Sequence, residues 1–259
     1  MSQVAPIEEI RLYLPRRYRR FPEFDGQLPE VPKSVRIVIV EDDFGPASKV
    51  LHAASELSGD DTPILFCDDD RIYPQNWSQG LLEAHYQRPN ECIAIAGRHL
   101  HDVLPTPEPH NTCDRAKIGK EYFDPVYRYR RVRQQWQEKR LVTKGPKPAR
   151  RLVARAGYVD LLQGYGGVLV LPTFIDALFY KIPNDLWMVD DIWLSGHLAR
   201  RNIPIWLPKR REICQRSEND HVAALRNSTF SGIDRDGSNL RAISYFQQNY
   251  GVWDHAIST

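Results

Sequence analysis

The chain has 259 residues, of which 42% are hydrophobic and 26% are charged. This apolar share supports a substantial core, which excludes wholesale disorder. No apolar run approaches the roughly 20 residues of a membrane helix, and charged residues near the start argue against a secretory signal. The four cysteines form no CxxC pair, which favours a reducing compartment over a disulfide scaffold or a zinc site. We therefore expect a soluble, cytoplasmic protein.

Positive charge is concentrated in one stretch of the chain. Residues 115–155 contain 14 Lys and Arg against three acids, which gives a local charge of +11. Because the whole chain carries only +2, the remaining residues sum to −9. The sequence thus predicts a basic segment attached to an acidic body.

Short apolar runs alternate with helix-like stretches in the first hundred residues. The predicted elements are a strand at 10–14, a buried strand at 35–40, a helix at 46–57, a strand at 63–67, a helix at 76–87 and a strand at 92–97. Ala47, Val50, Leu51 and Ala54 have the spacing of one helix face. This alternation is typical of an α/β fold with a largely parallel sheet.

Regular patterning is lost between about residues 100 and 150, where Pro, His and basic residues accumulate. We interpret this region as a long, mobile connection. Later elements are a strand within 164–171, a helix at 190–202, a strand at 203–207 and a last helix at 239–249, with Ser238 as its N-cap. No linker divides the chain, so we predict one domain over residues 1–259.

The clearest motif follows the apolar run at 63–67, where Asp68, Asp69 and Asp70 stand in succession. In an open α/β sheet, ligands bind beyond the carboxyl ends of the strands. Adjacent carboxylates repel one another unless a cation or a basic side chain offsets their charge. Oxygen ligands suit Mg²⁺ or Mn²⁺, usually with substrate phosphates completing the coordination. The alternative is a solvated acidic turn that caps the next helix.

Two further acidic patches stand at predicted element boundaries. Glu41, Asp42 and Asp43 follow the strand at 35–40, where Asp42 or Asp43 would accept hydrogen bonds from a nucleobase or ribose. Asp190 and Asp191 open a predicted helix, where a rigidly held carboxylate can act as a general base. A solvated turn and simple N-capping are the respective alternatives.

Three other features carry weaker signals. Glycines at 164, 166 and 167 precede an apolar run, and closely spaced glycines let a backbone approach a ligand. His197 and His221 are candidate metal ligands, although a lone histidine is more often structural. The basic segment contains RYRRVRQQW, which interleaves arginines with aromatic residues, a pattern that suits nucleic acid or a diphosphate.

Five segments, in chain order, resemble glycosyltransferases of the GT-A fold, and in particular inverting family-2-type enzymes. They are similar to a bacterial and viral group of these transferases that includes a domain of a chlorovirus rhamnosyltransferase. The segments are RYRRFPEFDGQLPE, EDDFGPASKVLHA, FCDDDRIYPQNW, GYGGVLVLP and DDIWLSGHLARRNIPIWLP. The resemblance covers roughly residues 10–207. It implies a single GT-A (Rossmann-like) α/β domain whose mixed, mostly parallel sheet is flanked by helices.

The resemblance also implies roles for individual residues. Asp191, beside Asp190, would be the general base that deprotonates an acceptor hydroxyl. The outer positions of a DXD motif would be Asp68 and Asp70, with a divalent metal, Mn²⁺ or Mg²⁺, at Asp70 and Asp68. Asp68 would also reach the ribose or a metal-bound water, one of Asp42 and Asp43 would sit near the base, and Gly166 and Gly167 would line the donor-sugar pocket. From the residues alone we add Asp69 as a candidate for donor binding and His221 as a candidate metal ligand.

The same resemblance implies a nucleotide-binding half at 1–100, the basic loop region at 101–155 and an acceptor half at 156–259. The first strand of the nucleotide-binding half is missing by this comparison. The expected partners are a nucleoside diphosphate sugar, with UDP favoured over GDP or dTDP, and a glycan acceptor. We expect no nucleic acid and no membrane span, and we leave peripheral membrane contact open.

Two other functions compete with this interpretation. A phosphohydrolase of the haloacid dehalogenase type would use Asp68 as nucleophile and Asp70 as acid/base, with Asp190 and Asp191 helping to bind Mg²⁺. A binding module for nucleic acid or anionic lipid would use residues 115–155, and its affinity would fall steeply with salt.

Overall fold

Helices and strands alternate along the chain in the computed structural model, which describes residues 3–104, 114–118, 125–142, 153–209, 214–216 and 235–253. The α-helices within these residues are α1 (Ser48–Glu56), α2 (Trp77–Gln87), α3 (Pro125–Gln137), α4 (Asp190–Arg200) and α5 (Arg235–Tyr250). The strands are β1 (Ile10–Pro15), β2 (Val35–Val40), β3 (Ile64–Phe66), β4 (Arg71–Ile72), β5 (Cys92–Ala94), β6 (Gly97–Arg98), β7 (Lys117–Ile118), β8 (Val153–Arg155), β9 (Gly157–Val159), β10 (Leu161–Leu162), β11 (Val168–Val170), β12 (Ile205–Leu207) and β13 (Gln215–Arg216).

The main sheet has five strands in the order β3-β11-β5-β12-β9 and is mixed rather than mostly parallel. Only β5 and β12 pair in parallel, while β11 runs antiparallel to both β3 and β5. The expectation of a mostly parallel sheet was therefore wrong. The reason is the position of β11, which comes from the second half of the chain and lies between β3 and β5. The alternating pattern would have placed β3 and β5 side by side.

The parallel pair β1–β2 forms a separate sheet among the described residues. Both strands have the predicted limits to within a residue, but β2 is not the buried strand that its apolar sequence indicated. Arg36 and Ile39 are exposed, and the other β2 side chains are half-buried. Helix α1 packs against β1 and also against β3, so it connects this pair to the main sheet.

The apolar stripe of the first predicted helix is confirmed. Ala47, Val50, Leu51 and Ala54 are all buried in the core between α1 and the main sheet. A second core lies between α4 and α5, where Trp193 and Phe246 are almost fully buried. Leu194 and Leu198 of α4 belong to the first core, together with Phe66 of β3, and this packing fixes α4 relative to β3.

Two predictions in basic or polar parts of the sequence differ from the structure. The stretch interpreted as a long connection contains helix α3, while residues 105–113, 119–124 and 143–152 lie outside the described residues. The last helix begins at Arg235, so Ser238 lies inside α5 instead of capping it. A cap-like residue therefore did not mark the beginning of this helix.

Among the described residues, no helix combines the length and apolar character that a membrane crossing requires. The cysteines in this part of the chain, Cys67, Cys92 and Cys214, are free thiols.

Candidate functional site

Acidic segments that are far apart in the sequence meet around one lysine. Lys49 lies in the first turn of α1, and its Nζ is 2.7 Å from Oδ1 of Asp68, just beyond β3. The same Nζ is 2.9 Å from Oδ2 of Asp190 in the first turn of α4. Asp191 belongs to this group because its charge also acts on Lys49. The first and third acidic patches of the sequence are therefore one cluster.

Lys49 remains charged although its side chain is only 19% exposed. Burial alone disfavours an ammonium group, but the attraction of Asp190, and then of Asp68, outweighs this effect. As a result, the pKa of Lys49 lies well above its usual value. The ammonium group offsets the mutual repulsion of carboxylates that would otherwise be crowded together.

Asp191 is a carboxyl group with a strongly raised pKa. Its Oδ1 accepts a hydrogen bond from the backbone N–H of Gly164 at 2.9 Å. Burial, and next the charge of Asp190, raise the pKa of Asp191 to about 7, although Lys49 and Gly164 act in the opposite direction. A carboxyl group with this pKa can both accept and release a proton near neutral pH. Asp190 is less accessible, being 6% exposed and ion-paired with Lys49.

Gly164 lets the backbone approach this cluster. It begins a single 3₁₀ turn, Gly164–Gly166, that leads into β11. A Cβ atom at Gly164 would overlap Lys49 Nζ and come within 3.2 Å of Asp191 Oδ1. The close approach of the backbone that the glycine spacing predicted is therefore present at Gly164, although the donor-sugar role was assigned only to Gly166 and Gly167.

Packing accounts for Gly166 and Gly167, the two glycines that the resemblance assigns to the donor sugar. Gly167 has a φ of +96°, and a Cβ there would overlap the ring of Trp77. A Cβ on Gly166 would come within 2.8 Å of the Ala96 side chain. Trp77 Nε1 donates to the carbonyl of Gly166 at 2.9 Å, and the Tyr73 hydroxyl contacts the backbone of Asp68 at 3.1 Å. These bonds hold the glycine turn against the aspartate motif.

The other two aspartates of the motif face different surroundings. The carboxylate of Asp70 lies 3.2 Å from Nε of Arg71, so a basic side chain offsets its charge. Asp69 is exposed. Tyr18 has a raised pKa because of burial first and then the charges of Asp43 and Asp69. Because Asp43 and Asp69 both act on Tyr18, the second acidic patch lies near the aspartate motif.

The resemblance assigns a divalent cation to Asp68 and Asp70. Their side chains are 33% and 34% exposed, and both charges act with burial to raise the pKa of the Cys214 thiol to about 12. Mg²⁺ is commonly held by one or two protein carboxylates, with substrate phosphates completing its coordination. No group of three potential ligands occurs within the described residues, and His221 lies outside them. Asp68 and Asp70 are thus the two carboxylates that this part of the chain offers to a cation, and each already has a basic neighbour, Lys49 or Arg71.

A cavity of about 350 Å³ opens beside the second acidic patch. Residues 41–44 form part of its wall, together with Arg17, Arg19, Tyr180 and Trp187. Two guanidinium groups, aromatic rings and carboxylates thus surround one space. This mixture suits a ligand that has both an aromatic ring and negative charge.

Asp43 holds the wall of this cavity in place. Its two carboxylate oxygens accept hydrogen bonds from the backbone N–H groups of Gly45 and Arg19, each at 2.8 Å. Trp187 Nε1 donates to the Asp43 carbonyl at 3.0 Å, and the Arg19 guanidinium lies over the Trp187 ring. Asp42 is exposed. Of the two aspartates, Asp42 is the one more accessible to a ligand.

His197 has a structural environment. Its ring packs among Phe179, Trp193 and Phe246, and Arg200 Nε donates to its Nδ1 at 3.1 Å. Burial, followed by the charge of Arg200, lowers the pKa of His197 to about 3. A neutral histidine inside an aromatic core supports α4 and does not reach the acidic cluster.

Lys49 is the site residue that the sequence interpretation missed. It points away from the apolar stripe of α1, so helical periodicity alone assigns it to solvent. The signal that identifies it is electrostatic. Acidic patches that converge require a compensating positive charge. Lys49 is the Lys or Arg residue in the segment between Asp43 and Asp68.

No protein-family model matches the chain, and no curated protein matches it at a significant level. The case for a function therefore depends on the acidic cluster around Lys49 and on the cavity beside the second acidic patch.

Proposed function

We propose that this chain is a metal-dependent inverting glycosyltransferase of the GT-A type, which moves a sugar from a nucleoside diphosphate to a hydroxyl acceptor. The observation that carries the proposal is the Lys49 cluster. This cluster brings together Asp68, just beyond β3, and Asp191, in the first turn of α4. The pKa of Asp191 is raised to about 7. Transfer needs both a site for a charged donor and a base for the acceptor.

In the proposed reaction, the ionised Asp191 takes the proton of the acceptor hydroxyl. The acceptor oxygen then forms a bond to the anomeric carbon while the bond to the diphosphate breaks. Displacement from the opposite face inverts the configuration, and the proton remains on Asp191. The backbone N–H of Gly164 holds the carboxylate in position during this step.

Asp68 and Asp70 would hold Mn²⁺ or Mg²⁺, and the ion would neutralise charge on the leaving diphosphate. Lys49 keeps Asp68 and Asp190 in fixed positions. In this proposal Asp42 and the cavity beside it receive the nucleoside. UDP is favoured over GDP or dTDP, and a glycan is the acceptor. A cytoplasmic location is part of the proposal, since the spacing of the four cysteines is not that of a disulfide scaffold.

A transfer assay tests the proposal. The protein is incubated with UDP-, GDP- and dTDP-sugars and a mixture of glycans, and release of nucleoside diphosphate is measured. We expect release with one donor class, loss of release after chelation of divalent cations, and recovery with Mn²⁺ or Mg²⁺. Asp70→Ala should lower the rate by at least about 100-fold because an electrostatic contribution to the transition state is lost.

Asp61→Ala is the matched control, because Asp61 is an exposed carboxylate before β3 and should leave the rate unchanged. Release that survives chelation or Asp70→Ala would count against the proposal. Hydrolysis of a generic phosphate ester in Mg²⁺, without sugar transfer, would favour the phosphohydrolase.

A further inference from the structure

Helix α3 exposes apolar side chains on its outer face. Tyr129, Val132 and Trp136 are three and four residues apart and therefore share one side of the helix. They are 68%, 62% and 83% exposed, whereas Tyr127 and Gln134 on the opposite side are partly buried. A surface helix normally buries its apolar face. The outward apolar stripe of α3 therefore needs another explanation.

The exposed apolar residues of the described chain are concentrated at this place. Leu141 and Val142, just after α3, are exposed as well. Five of the 14 exposed large hydrophobic residues in the described chain thus fall within residues 129–142. Isolated exposed apolar residues need no explanation, but a cluster of them indicates an interaction surface.

Basic residues border the apolar stripe. Arg128 and Arg133 are exposed, and each lies four residues from a member of the stripe, Val132 and Tyr129 respectively. Residues 125–142 contain six Lys and Arg against one acid, a charge of +5, while the whole chain carries +2. The charge of the remaining residues therefore sums to −3. Positive charge is thus concentrated in the segment that carries the apolar stripe.

We propose that α3 and residues 138–142 form a docking surface for an anionic lipid bilayer. An interfacial helix combines aromatic and aliphatic side chains on one face with flanking arginines that reach anionic headgroups. Trp and Tyr suit the boundary between headgroups and acyl chains. A single-stranded nucleic acid would use the arginines and rings, but it offers no apolar phase for Val132, Leu141 and Val142. Bilayer binding is independent of the proposed transfer reaction.

Vesicle cosedimentation of the full chain tests this surface. We expect binding to vesicles of phosphatidylcholine with phosphatidylglycerol, little binding to phosphatidylcholine alone, and a steep decrease with salt. Arg128→Gln with Arg133→Gln should weaken binding roughly tenfold or more, since each basic residue near such a surface contributes about fivefold. Trp136→Ala with Val132→Ser should have an effect of similar size because the apolar contact is lost.

Tyr86→Ala is the matched control, because Tyr86 is an aromatic residue of α2 that is 78% exposed. All of these positions are exposed, so the variants should keep the melting temperature of the unmodified protein. Equal binding to neutral and anionic vesicles, or binding that the α3 variants do not change, would overturn the proposal. So would the absence of vesicle binding, and tight binding of a single-stranded oligonucleotide would then assign the surface to nucleic acid.

Discussion

Replacement of Asp191 by asparagine is expected to lower the turnover number of sugar transfer by about 10²–10⁴-fold, the usual contribution of a general base. Asparagine has nearly the same shape and still accepts the hydrogen bond from Gly164, but it cannot take a proton. Binding of the nucleoside diphosphate should remain, because the variant leaves Asp68 and Asp70 intact. Asp185→Asn, at an exposed aspartate shortly before α4, is the matched control.

The pH dependence of the unmodified protein gives a second test of Asp191. Since its pKa is raised to about 7, the rate should increase as the pH rises through 7 and then level off. Stability should change in the opposite direction. The folded protein retains a proton that the unfolded chain releases near pH 4, so this residue's contribution to stability is lost between about pH 4 and 7.

Asp191→Asn has no proton to retain, and it should therefore lose less stability than the unmodified protein over the same pH interval. Denaturant unfolding at several pH values measures this difference. Full transfer activity in Asp191→Asn, or identical stability profiles for the two proteins, would remove Asp191 from the role of base.

The second large effect is expected at Lys49. Lys49→Met leaves Asp68, Asp190 and Asp191 without their shared ammonium group, and removal of one partner from a buried ion pair typically costs about 3–5 kcal/mol. The free energy of unfolding at neutral pH should fall by about this amount. Lys181→Met, at an exposed lysine, should change it by no more than about 0.5 kcal/mol.

A double variant separates this electrostatic effect from general loss of packing. Asp190→Asn removes one of the carboxylates that Lys49 compensates, so adding it to Lys49→Met should restore part of the lost stability. If Lys49→Met unfolds as readily as the unmodified protein, or if the second change gives no recovery, Lys49 does not hold the cluster together.

Local patterns predicted most of the elements that carry the site. The apolar stripe at Ala47, Val50, Leu51 and Ala54 identified α1 and its buried face, because helical spacing and burial agree there. The β-rich run before the three aspartates likewise marked β3, since the chain changes from apolar to charged at its end. Both predictions depend only on residues that are close together in the chain, so one sequence is enough to make them.

Long-range arrangement could not be predicted in the same way. The direction of β11 depends on its insertion between β3 and β5, which are about 70 to 100 residues earlier in the chain. Lys49 faces away from the apolar stripe of α1, and the residues that enclose it, Asp68, Gly164 and Asp190, come from three distant parts of the chain. Helix α3 escaped detection because its apolar residues face outward within a strongly basic sequence.

Calorimetric titration with UDP, GDP and dTDP, each with and without Mn²⁺, examines the proposed nucleotide site by itself, because it needs neither the donor sugar nor the acceptor. We predict that one nucleotide binds only when Mn²⁺ is present, and that Asp70→Ala abolishes this binding while Asp61→Ala does not. Binding of no nucleotide, or binding that is the same without Mn²⁺ and in Asp70→Ala, would contradict a metal-dependent nucleotide site at the aspartate motif.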